Sequence, residues 1–148
     1  MSEGPFHVVI CPGAWCPAAQ WAGFGERLNH SSPDVLGVTV AQWPTTGAGL
    51  SAHRDAVLNA VPDGDCPIVL LGHSFGTFPM LEAGWGLGQR VLGVICVDGF
   101  LPEHGLTAFS QSKGSRGPEI MRAKAIEGVV TPPDPAIWGL RGADAADV

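Results

Sequence analysis

Apolar residues gather along this chain into four short runs, separated by stretches with helical spacing. The runs are Phe6 to Cys11 (FHVVIC), Val35 to Ala41 (VLGVTVA), Ile68 to Gly72 (IVLLG) and Val91 to Val97 (VLGVICV). They are rich in Val and Ile without strict alternation, the pattern of strands covered on both faces, as in a parallel sheet. Between the first two, residues 17–29 (PAAQWAGFGERLN) open with a proline and put Trp21, Phe24 and Leu28 on one side, which predicts a crossover helix. Residues 51–61 begin at Ser51, a favourable N-cap, and space Val57 and Val61 four apart. Residues 75–87 carry Phe78, Leu81 and Trp85 along one face. The alternation predicts an α/β fold with a doubly wound, mainly parallel sheet, because right-handed crossovers cover both faces.

Past residue 100 the pattern changes. Residues 100–128 mix polar turns with one short amphipathic stretch, and residues 129–148 (VVTPPDPAIWGLRGADAADV) are proline-rich with no strand signal. The expectation is one domain over residues 1–148, with a core to about residue 100 and a cap-like excursion over 101–148. Right-handed crossovers put the strands in the spatial order second, first, third, fourth, which leaves 91–97 at an edge. A long apolar edge strand is a template for pairing, so a homodimer or a partner chain is expected there.

Composition narrows the class. At 148 residues, 45% hydrophobic and with mean hydropathy +0.20, the chain can bury one sizeable core. Its 8 basic and 14 acidic residues give a formal charge of −6 with no Lys/Arg cluster, which argues against nucleic acid or an anionic membrane as partner and for a small-molecule substrate. The apolar runs are strand-sized and the N-terminus (MSEGPF) is short and acidic, so neither a membrane span nor a signal peptide is read, and the expected location is cytoplasmic. Cys11, Cys16, Cys66 and Cys96 form no C-x-x-C pair and show no zinc-type spacing. No metal or organic cofactor is expected.

The third run ends in Gly72-His73-Ser74-Phe75-Gly76 and a helical segment follows. Strand, Gly-x-Ser-x-Gly, helix is the setting of a nucleophile elbow, where a sharp turn exposes the serine hydroxyl and the glycines keep neighbouring backbone clear. The Phe75 N–H lies at the start of that helix, positioned for an oxyanion. A second donor is expected from the loop after the first strand, CPGAWCPAAQW, and the candidate is the N–H of Ala14. Trp15 and Trp43, with Phe75 and Phe100, would wall an apolar pocket or belong to the core.

Together, VVICPGAWCPAAQW, GHSFG and VDGFLPEHG resemble the α/β-hydrolase fold family, in its small-esterase and hydroxynitrile-lyase-like branch. The resemblance implies Ser74 as nucleophile and the N–H groups of Ala14 and Phe75 as oxyanion hole. Two departures stand out. Pro12 occupies the position where the family usually has histidine, and the sequence ends before the two later strands that usually supply the triad acid and histidine in the order Ser, Asp, His.

A serine nucleophile needs a base. His73 sits inside the elbow and reads as structural. His7 and His30 read as solvated or structural, and His53 falls in the second helical segment, where a surface position is expected. His104 follows the fourth strand at the carboxyl end of the sheet, and Asp98 ends that strand. A triad of Ser74, His104 and Asp98 is therefore open, as is a plain turn capped by Asp98 with His104 in the cap segment. Three functions follow: a serine hydrolase acting on a small apolar ester, thioester or lactone; a remodelled hydrolase fold that uses the oxyanion hole for cyclisation or lyase chemistry; and a catalytically incomplete binding or assembly protein.

Overall fold

A computed structural model describes residues 4–44, 48–112, 114 and 116–134. The proline-rich end of the expected cap, from residue 135 on, lies outside them. Four strands, β1 (Phe6–Cys11), β2 (Val35–Val40), β3 (Ile68–His73) and β4 (Val91–Val97), form one parallel sheet in the order β2-β1-β3-β4. The strand order and the parallel pairing are those expected from the sequence. Three helices, α1 (Ala22–Asn29), α2 (Leu50–Ala60) and α3 (Thr77–Leu87), make the crossovers.

Side chains alternate across the pleat and so divide the core in two. On one face Val9, Cys11, Ile68 and Leu70 meet Val57 of α2 and Met80 and Ala83 of α3. On the other, Val8, Ile10, Val35 and Leu71 meet Trp21 and Leu28 around α1. Both faces of β1 and β3 are covered, as their apolar runs led one to expect, whereas β4, expected to be covered likewise, leaves Leu92, Val94, Ile95 and Val97 exposed because it lies at the sheet edge. Burial of Cys11 pushes its thiol pKa up to about 12, so it behaves as a small hydrophobe.

Two local expectations are corrected. Ser51 is not the cap of α2: the helix starts at Leu50 with Gly49 as N-cap, whose carbonyl takes the Ala52 N–H at 3.1 Å. The face of α3 also differs. Thr77, Pro79, Met80 and Ala83 are buried, whereas Trp85 is 91% exposed. An almost wholly apolar helix has no polar side to orient it, so close backbone approach decides which residues go inward. A Cβ on Gly72 would lie 2.8 Å from the Met80 sulfur and 3.0 Å from Thr77 Cα, and one on Gly84 would lie 3.0 Å from Leu70 Cδ1. Glycines on the strand and on the helix let the two pack closely along that line.

The chain divides into two compact units, one of Met1–Pro44 with Ala48–Leu101 and one of Thr45–Gly47 with Pro102–Val148. The second carries short helices α4 (Ala108–Gln111) and α5 (Gly117–Lys124). Thr107 and Ser110 form a reciprocal capping box on α4, and the Arg122 guanidinium lies 5.1 Å from the centre of the Phe109 ring. No helix among the described residues is long and apolar enough to cross a membrane.

Candidate active site

β3 delivers the chain to Ser74, whose φ of +50° is left-handed, and a 3-10 turn (Ser74–Gly76) leads into α3. A non-glycine residue in this region costs on the order of 1–3 kcal/mol and persists only where its surroundings over-determine it. Three contacts do so. Gly76 is pressed on the carbonyls of Cys11 and Pro12, leaving no room for a Cβ. A Cβ on Gly13 would lie 2.7 Å from His73 Nδ1 and 3.3 Å from Ser74 Cβ, so the loop after β1 sits directly on the elbow. The fully buried Thr77 hydroxyl donates to the Ser74 carbonyl at 2.8 Å and accepts the Phe100 N–H at 3.1 Å, tying the elbow to the exit of β4.

The first N–H groups of a helical turn have no intrahelical acceptor, and Phe75 supplies one of them. Ala14 follows Gly13, the residue that packs on His73 and Ser74, in the loop after β1. That loop is held from the segment that follows β2. The Trp43 indole N–H reaches the carbonyls of Pro12 at 3.2 Å and Gly13 at 3.3 Å, and the Cys16 N–H closes a turn onto Gly13 at 3.3 Å. Trp43 thus orders a loop in which Pro12 has neither an N–H nor a polar side chain to offer. Trp15, in the same loop, also has a left-handed φ, +59°. Burial raises the pKa of the Cys16 thiol against a weaker opposing hydrogen bond with Gly13.

His73 turns to the α1 face, its ring 5.6 Å from that of Trp21, with Nδ1 enclosed and no hydrogen-bond partner among the described residues. His7 bonds the Thr39 hydroxyl at 3.2 Å and His30 the Glu26 carbonyl at 2.7 Å. Asp98 follows β4 with φ +43°, one residue past the last strand pair, His73 with Val97. It is exposed, and no bond from Ser74 or from a histidine reaches it among the described residues. His104, exposed, lies in the second unit in a turn closed by the Leu106 N–H on the Glu103 carbonyl at 3.0 Å.

His53 occupies a different position from the surface one expected of it. It is half-buried, with its ring 5.2 Å from Phe75 and 5.3 Å from Trp43. Helical spacing alone held no signal for this, because the contact depends on where α2 docks. Thr77 was missed too, although its place three residues after Ser74 is the spacing at which a hydroxyl bonds back to a carbonyl. Among the described residues no group of three or more His, Cys, Asp or Glu could hold a metal ion.

A parallel sheet whose third strand ends in a left-handed serine, wedged between glycines and followed at once by a helix, defines the class. Residues 8–147 match the model of the alpha/beta hydrolase family, and the chain belongs to that family. Among solved structures it is similar to an extracellular α/β-hydrolase from a Paenibacillus species, described as sharing structural and functional homology with tobacco salicylic acid binding protein 2. The TM-score is 0.67 at 20% identity, over 80% of this chain and 50% of that one. The chain thus spans half the length of that structure, and the likeness is one of fold. No curated protein matches the chain.

Proposed function

We propose that this chain forms a serine-hydrolase site acting on a small apolar ester, thioester or lactone. The observation that carries this is the left-handed backbone of Ser74 at the end of β3, maintained by three independent contacts. In this reading the Ser74 hydroxyl gives its proton to a base as its oxygen bonds the substrate carbonyl carbon. The oxyanion is held by the N–H groups of Ala14 and Phe75. Collapse breaks the bond to the leaving oxygen or sulfur, which takes the proton, and water then releases the acyl group from Ser74. The base is left open between two candidates, His104 with Asp98 and a histidine supplied by another chain.

Intact mass after incubation with a fluorophosphonate tests the site, since the reagent labels a serine activated by a working base. One adduct, absent in Ser74→Ala, is the expected result. Loss of the adduct in His104→Ala identifies the base, and its survival there moves that role to another group. No adduct on folded protein overturns the hydrolase reading in favour of non-hydrolytic chemistry or binding. We also propose that the β4 edge pairs with a second copy of the chain. Sedimentation as a dimer that Ile95→Lys converts to monomer supports this, and a monomer at micromolar concentration overturns it.

A further inference from the structure

Five rings cluster within the first unit: Trp43, His53, Phe75, Phe78 and Phe100, with successive centroids 5.3, 5.2, 6.5 and 5.7 Å apart and Trp43 also 6.3 Å from Phe75. Four are hydrocarbon rings or an indole whose N–H is already committed to the Pro12 and Gly13 carbonyls. The fifth is an imidazole. His53 Nδ1 lies 2.9 Å from the Gly49 carbonyl oxygen, which can only accept, so Nδ1 carries the hydrogen and the neutral ring presents Nε2 as a lone pair. Among the described residues Nε2 has no hydrogen-bond partner.

The neighbours of this ring give it a role. His53 stands edge-on at 81° to Phe75, whose own N–H is one candidate oxyanion donor. It lies against Trp43, whose indole holds the loop that carries the other donor, Ala14. Where a ligand packs against apolar rings, a single acceptor among them fixes its orientation, and a ligand that cannot donate to it leaves that acceptor unpaired.

We infer that His53 is a specificity-determining residue: its Nε2 accepts a hydrogen bond from a hydroxyl or N–H carried on the apolar part of the substrate. This rests on the Ser74 site being the place where substrate binds, and it adds to that reading a substrate class, apolar carbonyl compounds bearing one donor group.

The test is equilibrium binding of two non-hydrolysable probes, 4-hydroxyphenylacetamide and phenylacetamide, followed by tryptophan fluorescence in the wild type and in His53→Phe. The wild type should bind the hydroxylated probe about fivefold more tightly, the yield of one neutral hydrogen bond, and His53→Phe should lose that preference. Equal binding in the wild type, no binding of either probe, or a preference that survives His53→Phe overturns the inference. Should His53→Phe fail to fold, nitrogen NMR of the wild-type imidazole decides. A His53 Nε2 resonance moved by the hydroxylated probe alone upholds the assignment, and an unmoved one overturns it. Binding needs no turnover, so the two proposals separate. A His53-dependent preference without fluorophosphonate labelling sinks the hydrolase reading alone, and labelling without the preference sinks this one alone.

Discussion

β3 and β4 are neighbouring parallel strands of almost the same composition, and both run out into a residue with left-handed backbone, Ser74 and Asp98. β3 lies between two strands and is covered on both faces, with Ile68 and Leu70 fully buried. On β4, Leu92, Val94, Ile95 and Val97 are 42–48% exposed. At the strand ends the contrast repeats. Ser74 is boxed in by Gly13, Gly76 and Thr77, whereas Asp98 is exposed and its following residues are tied to the rest through Thr77. The same backbone conformation is thus clamped in one place and merely anchored in the other, and only the clamped one sits where a hydroxyl could do chemistry.

Glycine substitutions should break this comparison most sharply. Gly76→Val drives a side chain into the Cys11 and Pro12 carbonyls and should cost more than about 4 kcal/mol, enough to abolish cooperative folding. On β4, a Cβ at Gly93 meets nothing within 4 Å, so Gly93→Val should stay within about 1 kcal/mol of the wild type in urea unfolding. Large-to-small changes come next. Leu70→Ala should cost roughly 2–5 kcal/mol by the cavity it leaves, and Ile95→Ala, half exposed in the single chain, less than about 1 kcal/mol when measured at a concentration where the chain is monomeric. Losses that become equal at higher concentration would mean that β4 is buried in solution by a partner.

Thr77→Val keeps the shape and removes the hydroxyl shared by the two strand exits. The Ser74 carbonyl and the Phe100 N–H both lose their partner, for an expected cost of about 1–3 kcal/mol by thermal unfolding and weaker fluorophosphonate labelling. The smallest effect is a gain. Ser74→Gly removes the left-handed penalty and should be about 1 kcal/mol more stable than Ser74→Ala, with labelling lost in both. An equal pair would show that the elbow carries no backbone strain.

The strands were legible because β-branched runs bounded by glycine and proline are a local signal, and the chain order dictated the sheet order. Ser74 was legible because two glycines flank it at the end of such a run. The difference between β3 and β4 was not, since centre and edge are properties of the assembled sheet. The buried side of α3 was missed because its residues are nearly all apolar and the deciding contacts come from Gly72 and Gly84. The roles of Trp43 and His53 are tertiary: the indole reaches back about thirty residues to the Pro12 and Gly13 carbonyls, a distance no periodicity reports.

The two hydrogen bonds made by the Thr77 hydroxyl have a consequence for the order in which the molecule is built. Phe100 emerges from the ribosome well after Ser74, and only its arrival gives the Thr77 oxygen a donor and seats Gly99 against the threonine methyl. Of the three contacts that hold the serine, the one through Thr77 is therefore completed only when the chain beyond the fourth strand has docked.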